Sequence, residues 1–197
     1  MPPLNLETEM KFILILLAVF ACSTPALADP AKGGQLSASC AHCHGTDGNS
    51  SSGMYPSLAD QTKEYLYRQI KAFKDGTRKD PQMSPMVGIL SDEDMRNLAD
   101  FYNFQTLVRK SVKTDPALVE QGKKLASELA CGSCHRPNYK GVNEFPRLSR
   151  QKKEYLVKQL KDYRDGNRTN DNGTMAPVAK NLTDEQIDAL SEYFTSM

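Results

Sequence analysis

The sequence has no apolar segment long enough to span a bilayer and no strong excess of either charge. Its longest apolar run, Phe12 to Cys22, has 11 residues, whereas a membrane-spanning helix needs about 20. Lys and Arg number 25 and Asp and Glu number 24, so the formal net charge is +1. Proteins that bind nucleic acid need many uncompensated positive charges, so this balance argues against that class. We predict no transmembrane span and no nucleic-acid partner.

The short apolar run is instead typical of an export signal. Lys11 precedes it, and Ala26-Leu27-Ala28 follows it. A positive residue, a short apolar core and an Ala-x-Ala site together make a secretory signal peptide. We therefore predict a signal peptide over residues 1–28 and a location in the periplasm.

Two details of this N-terminal segment leave alternatives open. Glu7 and Glu9 are unusual ahead of a signal core, so Met10 is a candidate start as well as Met1. Cys22 closes a stretch that loosely fits a bacterial lipoprotein box. Lipid anchoring at that cysteine is the alternative to simple cleavage of the signal.

Beyond Cys22, cysteine occurs only in two short segments that share one pattern. They read Cys40-Ala41-His42-Cys43-His44 and Cys131-Gly132-Ser133-Cys134-His135. Each is Cys-x-x-Cys-His, the attachment pattern of c-type haem. Two thiols one helical turn apart can form thioethers with the two vinyl groups of one haem, and the adjacent histidine can bind its iron. We predict two covalently attached haem c groups, held by Cys40, Cys43, His44, Cys131, Cys134 and His135.

The rival interpretations of these cysteines are a zinc site and a redox-active dithiol. Zinc ribbons place their cysteine pairs about 15 to 20 residues apart, whereas Cys40 and Cys131 are 91 residues apart. A redox dithiol gives no reason for a histidine after each pair, nor for a second copy of the motif. Both rivals are therefore disfavoured.

Histidine is scarce, and this scarcity limits the second axial ligand of each iron. Apart from His44 and His135, the sequence has only His42. His42 adjoins Cys43 in the attachment loop and cannot reach the far face of the same haem. A methionine, a lysine or an open site therefore remains for that face.

Paired positions favour methionine as the second ligand. Met175 lies seven residues before Leu182, and Met83 lies seven residues before Leu90. Met86 lies only four residues before Leu90 and is the alternative to Met83. Methionine opposite histidine raises the reduction potential of a haem, so we predict two iron centres, ligated by His44 with Met83 and by His135 with Met175.

The chain also contains an internal repeat, in which two halves share one sequence pattern. Residues 56–78 match residues 146–168 with 12 identities in 23 positions. The segment 105–114 has no partner in the other half and is polar. We predict an N-terminal domain over 29–104, a linker over 105–114 and a C-terminal domain over 115–197.

Local signals in both halves predict helices, and no alternating strand pattern appears, so the predicted fold is all-α. Asp115-Pro116 is a helix start with proline in the first turn. Residues 64–74 form an amphipathic helix that ends near Gly76. Ser91 with Asp94, and Thr183 with Gln186, have the spacing of capping boxes, in which Asp94 is an imperfect partner.

Two prolines follow the attachment motifs at matching positions. Pro56 and Pro146 each lie two residues before a leucine. We predict that their carbonyl oxygens accept the Nδ1–H of the axial histidines and fix the ring orientation. Plain loop prolines are the alternative. Tyr65 and Tyr155, on the helices that follow, are interpreted as helix core.

These residues together resemble a known family. The Cys-x-x-Cys-His motif, Pro-x-Leu and a later methionine before an aromatic closing helix resemble class I cytochrome c. The doubled pattern, with two Gln-x-x-Glu-Tyr-Leu helices at 61–66 and 151–156 and Asp-Gly-Asn-Arg-Thr-Asn at 165–170, is similar to the dihaem cytochrome c4 family. The resemblance covers nearly all of residues 30–197.

The resemblance implies two tandem class I cytochrome c domains, each wrapped round one haem and packed about a pseudo-two-fold axis. It implies an electron-transfer protein with no catalytic residues of its own, which delivers electrons to a terminal oxidase. Peripheral association with a membrane is compatible with this role. Two departures stand out. The opening helix of the first domain is short and contains Gly33-Gly34, and the turn at 45–49 has no counterpart after His135.

Two other functions share parts of this pattern. The first is the cytochrome subunit of a periplasmic dehydrogenase, such as a flavocytochrome sulfide dehydrogenase. The second is a dihaem peroxidase, which needs an open coordination site, and the paired methionines argue against it. In either electron-transfer role the partners are other redox proteins.

Overall fold

The computed structural model describes residues 28–108 and 111–197. Almost all of the predicted signal peptide, and Cys22 with it, lies outside these residues. No helix within the described ranges combines the length and the apolar character that crossing a membrane requires.

The described chain forms two helical units with the same order of elements, which confirms the all-α prediction. The first unit contains α1 Pro30–Leu36, α2 Ala41–His44, α3 Lys63–Lys74, α4 Met83–Val87 and α5 Asp92–Phe104. The second unit contains α6 Pro116–Glu128, α7 Gly132–His135, α8 Lys153–Arg164, α9 Met175–Ala179 and α10 Asp184–Ser196. A 3-10 turn over Ser37–Ser39 links α1 to α2, and an isolated bridge joins Val142 to Phe145.

The helix starts confirm the capping predictions. The Asp115 carboxylate accepts hydrogen bonds from the N–H groups of Ala117 and Leu118 at the start of α6. Ser91 and Thr183 each form a complete capping box, at α5 and α10. Asp94 therefore serves in a position where Glu or Gln is usual.

In each unit the opening helix crosses the closing helix at a glycine. A Cβ on Gly33 would lie 2.8 Å from the Cβ of Phe101 and would overlap the backbone carbonyl of Asn97. A Cβ on Gly122 would lie 2.8 Å from the Cβ of Tyr193. Gly33 is therefore the feature that lets the backbones of this short helix and α5 touch.

Each unit has one buried core cluster, and each cluster reaches its attachment motif. Leu66, Leu98, Ala99 and Tyr102 form the first cluster, with Cys40 packed against it. The second cluster is larger, and it includes Ile187, Leu190 and Phe194 with Cys131 packed against it. The cores thus fix the position of one thiol in each unit.

The expectation that the turn at 45–49 has no counterpart is wrong for the backbone. Gly45 and Gly48 have φ of 82° and 78°, and Arg136 and Tyr139 have φ of 69° and 54°. The Tyr139 carbonyl accepts from the N–H groups of residues 148 and 149, as the Gly48 carbonyl does from those of residues 58 and 59. The second unit makes the same turn with non-glycine residues in the left-handed region.

Candidate haem sites and the interface between them

Both attachment motifs lie on one short helical turn that places thiols and histidine together. The N–H of His44 donates to the Cys40 carbonyl, and the N–H of His135 donates to the Cys131 carbonyl, each at 3.0 Å. None of the four motif cysteines forms a disulfide, and all but Cys134 are half-buried.

The two motif histidines are buried, and each is held on a proline carbonyl. Nδ1 of His44 lies 2.9 Å from the Pro56 oxygen, and Nδ1 of His135 lies 2.8 Å from the Pro146 oxygen. Because a carbonyl only accepts, Nδ1 carries the proton and Nε2 keeps its lone pair. The predicted hydrogen bond between each proline carbonyl and the Nδ1–H of its histidine is confirmed.

The protonation state of these histidines also suits a metal ligand. Burial lowers the pKa of the His44 and His135 imidazoles, and the proline carbonyls offset this only in part. Both rings therefore stay neutral at physiological pH, as iron binding requires. His42 is exposed, as a loop residue without a ligand role would be.

The predicted methionines occupy equivalent places in the two units. Met83 and Met175 are each the first residue of a five-residue helix, α4 and α9. The N–H of Met83 donates to the Asp80 carboxylate at 2.9 Å, and that of Met175 donates to the Asp171 carboxylate. Both side chains are half-buried.

The alternative ligand, Met86, lies on the outer side of α4. Its side chain is 49% exposed, and its counterpart in the second unit is Val178, which is 39% exposed and has no sulfur. Equivalence between the two units therefore supports Met83.

A polar network that the sequence reasoning missed joins the two units. Arg78 donates to Gln69 at 2.7 Å and across the interface to Gln159 at 2.6 Å. Arg168 repeats the arrangement, with Gln159 at 2.6 Å and Gln69 at 2.9 Å. Two tyrosines complete the network. Arg78 donates to the Tyr155 hydroxyl and Arg168 to the Tyr65 hydroxyl, each at 3.2 Å and each across the interface.

The interpretation of Tyr65 and Tyr155 as helix core therefore needs correction, because their hydroxyls lie in this interface. The signal that could have found the network is the repeat itself. The tyrosine, the second glutamine and the arginine are all identical between the halves, at 65/155, 69/159 and 78/168. The spacing of Tyr65 and Gln69 along α3 alone did not indicate that they contact an arginine of the other half.

The chemistry of this network fits a haem protein. Arg78 and Arg168 are only 8% and 4% exposed, and within the described ranges their hydrogen-bond partners are neutral amides and phenols. Burial raises the pKa of Tyr65, but the charges of Arg168 and Arg78 outweigh it and lower that pKa to about 8. Two buried cations without a carboxylate call for anionic partners, and haem carries two propionate groups.

Two helical units, each with a buried histidine beside a pair of cysteines, define a c-type haem protein with two haems. The cytochrome c family model matches residues 30–102 and 119–197, so the chain belongs to the cytochrome c family. A cytochrome c4 from Stutzerimonas stutzeri is 40% identical over 179 residues, which cover 80% of this chain and 84% of that protein. The chain is thus a dihaem electron carrier of the cytochrome c4 type.

Two further comparisons bear on fold and role. The crystal structure of reduced recombinant cytochrome c4 from Pseudomonas stutzeri matches with a TM-score of 0.80 and 37% identity, over 87% of this chain and 100% of that one. A protein named thiosulfate dehydrogenase electron acceptor, from Thiomonas intermedia, is 34% identical over 202 residues. These cover 95% of this chain and 91% of that protein.

Proposed function

We propose that the protein is a periplasmic carrier that takes single electrons from a redox partner and delivers them to a terminal oxidase. The observation that carries the proposal is the pair of equivalent haem sites joined by a buried polar interface. Each haem, when bound, supplies a one-electron iron couple. The predicted signal peptide supports export, and the division into domains at 29–104 and 115–197 agrees with the helical units.

We assign the residues of the sites as follows. Cys40 and Cys43 anchor one haem and Cys131 and Cys134 the other. His44 and His135 offer Nε2 to the irons, since Nδ1 is bonded to a proline carbonyl in each unit. Met83 and Met175 would supply the second ligand of each iron, and Arg78 and Arg168 would offset the negative charge of the propionates.

The number of haems tests the first part of the proposal. A pyridine haemochrome assay should give two haems per chain, and acid–acetone extraction should leave both on the polypeptide. Haem that extracts, or one haem per chain, would contradict the assignment.

The choice of methionine ligand has its own test. Met83→Ala should remove one of two weak near-infrared sulfur-to-iron bands and lower that haem's potential, within the range of about 0.8 V that axial ligands span. Met86→Ala is the matched control on the same helix and should leave both bands intact. The reverse result would show that α4 and α9 do not present equivalent ligands.

A second candidate function is electron acceptor for a periplasmic sulfur-compound dehydrogenase. The relative from Thiomonas intermedia carries the name thiosulfate dehydrogenase electron acceptor, which favours thiosulfate over the sulfide dehydrogenase considered from the sequence. Stopped-flow reduction by a thiosulfate dehydrogenase, and oxidation by membranes that contain a terminal oxidase, separate the two roles. A carrier for the oxidase alone reacts rapidly only with the membranes.

A further inference from the structure

The Pro-x-Leu loops of the two units are clamped by glutamines of the opposite unit. The Ser57 N–H donates to the Gln151 side-chain oxygen at 2.8 Å, and the Gln151 amide donates to the Ser57 carbonyl at 2.9 Å. The Arg147 N–H donates to the Gln61 side-chain oxygen at 2.6 Å, and the Gln61 amide donates to the Arg147 carbonyl at 3.1 Å. Each glutamine side chain thus accepts from the N–H and donates to the carbonyl of one residue, as a neighbouring β-strand would. Both contacts are buried.

Each clamp acts on the same peptide group that holds an axial histidine. The Pro56 carbonyl and the Ser57 N–H belong to one amide, whose oxygen accepts from His44 while its N–H donates to Gln151. The Pro146–Arg147 amide likewise accepts from His135 and donates to Gln61. A continuous chain of hydrogen bonds therefore runs from each histidine into the opposite unit.

We propose that Gln61 and Gln151 are positioning residues that tune the axial histidine of the opposite unit. Gln151 acts on His44, and Gln61 acts on His135. This inference rests on the proposed function, in which both histidines bind haem iron.

The physical basis is polarisation of the shared amide. An amide whose N–H donates a hydrogen bond becomes a better acceptor at its oxygen, by about 10–30% per bond. A stronger acceptor draws on the Nδ1–H and makes the imidazole a more basic ligand. A more basic ligand favours the oxidised iron, so each glutamine lowers the reduction potential of the haem in the other unit.

If Gln61 and Gln151 only stabilised the contact between the units, their mutation would shift the haem potentials in a different pattern. Loosening the interface would change both haems, or the one in the mutated unit. Gln69 and Gln159 supply the control, because they lie on α3 and α8, are buried in the same interface and bond to guanidiniums rather than to the proline amides. Only the clamp predicts an effect that crosses from one unit to the other.

The test compares Gln61→Leu and Gln151→Leu holoproteins with a Gln159→Leu control. In an NMR-monitored redox titration, Gln151→Leu should raise the potential of the N-terminal haem only, and Gln61→Leu that of the C-terminal haem only. In the reduced protein, the Nδ1–H signal of the histidine opposite each mutation should move upfield and exchange faster with solvent. Gln159→Leu removes an acceptor that Arg78 and Arg168 share, so it should shift both haems together and show no crossed pattern.

The outcomes separate this inference from the proposed function. Shifts confined to the mutated unit, equal shifts at both haems or no shift would overturn the role of the clamps. The near-infrared bands and haem count of the unaltered protein test ligation independently. Gln61→Asn and Gln151→Asn keep the amide but are one methylene short, and they should give the same crossed shifts if the leucine variants yield no holoprotein.

Discussion

Replacing Gly33 with alanine should destabilise the N-terminal unit, because the new methyl group has no room where α1 crosses α5. Its Cβ would lie 2.8 Å from the Cβ of Phe101 and 2.7 Å from the carbonyl carbon of Asn97. Carbon atoms pack at about 3.5–4.0 Å, so the helices must separate by about 1 Å. Overpacking of this kind costs about 1–3 kcal/mol, and the obstructing backbone cannot rotate away, which favours the upper end.

Alanine also regains helix propensity, by about 1 kcal/mol over glycine. The net loss is therefore about 2 kcal/mol, which lowers the melting temperature of a unit of this size by about 8–16 °C. Thermal unfolding of the holoprotein, followed by circular dichroism and by Soret absorbance, measures this shift.

Gly34→Ala is the matched control for this prediction. It changes the adjacent glycine in the same helix, where the new Cβ would meet only the edge of the Phe101 ring, at 3.3 Å. A ring can swing by a few tenths of an ångström, so Gly34→Ala should be neutral or slightly stabilising. Equal melting temperatures for the two variants would refute the argument that backbone contact at Gly33 sets the crossing.

Other predictions follow from the interface and the helix ends. Arg168→Leu should lower the haem potentials, because a buried positive charge favours the reduced form. Arg164→Leu removes a half-buried guanidinium of α8 whose charge is already paired with Asp165 and Asp184, so it should leave the potentials unchanged in the same redox titration. Ser91→Ala and Thr183→Ala should each cost about 1 kcal/mol in guanidinium denaturation, since each removes the side-chain acceptor of a capping box. Unchanged denaturation midpoints would mean that water replaces the hydrogen bond of the lost hydroxyl at no cost in stability.

Features set by short-range chemistry could be predicted from the sequence. The attachment motifs, the proline carbonyls, the Asp115 helix start and both capping boxes depend on residues within about a dozen positions of one another. The equal spacing of Met83 and Met175 from Leu90 and Leu182 matches their equivalent places at the starts of α4 and α9, and their role as iron ligands stays a prediction.

Other features escaped sequence reasoning for physical reasons. The turn after His135 has φ values that glycine usually supplies, yet Arg136 and Tyr139 adopt them because tertiary contacts outweigh the local preference. The hydrogen bonds by which the glutamine clamps and the arginine network cross between the units join residues at least 77 positions apart. No local pattern marks such pairs.

The repeat itself explains why these polar residues are buried. Tyr65 and Gln69 are four residues apart on α3 and therefore lie on one face of it, and Gln61 precedes the helix by two residues. On a single unit this polar stripe would face water. In the duplicated chain it meets its own copy, at positions 151, 155 and 159, and contacts are reciprocal as at a two-fold interface.

Position 57/147 breaks this reciprocity. Ser57 stands where the second unit has Arg147, whose guanidinium is buried and donates to the carbonyl oxygens of Asp60 and Ala59 in the first unit. Burial lowers the pKa of Arg147 to about 10, which still leaves it charged at neutral pH. A fixed positive charge therefore extends from one histidine-holding loop onto the other. Since the clamps are otherwise matched, we predict that this charge makes the potentials of the two haem sites unequal, although both sites are built from the same repeat.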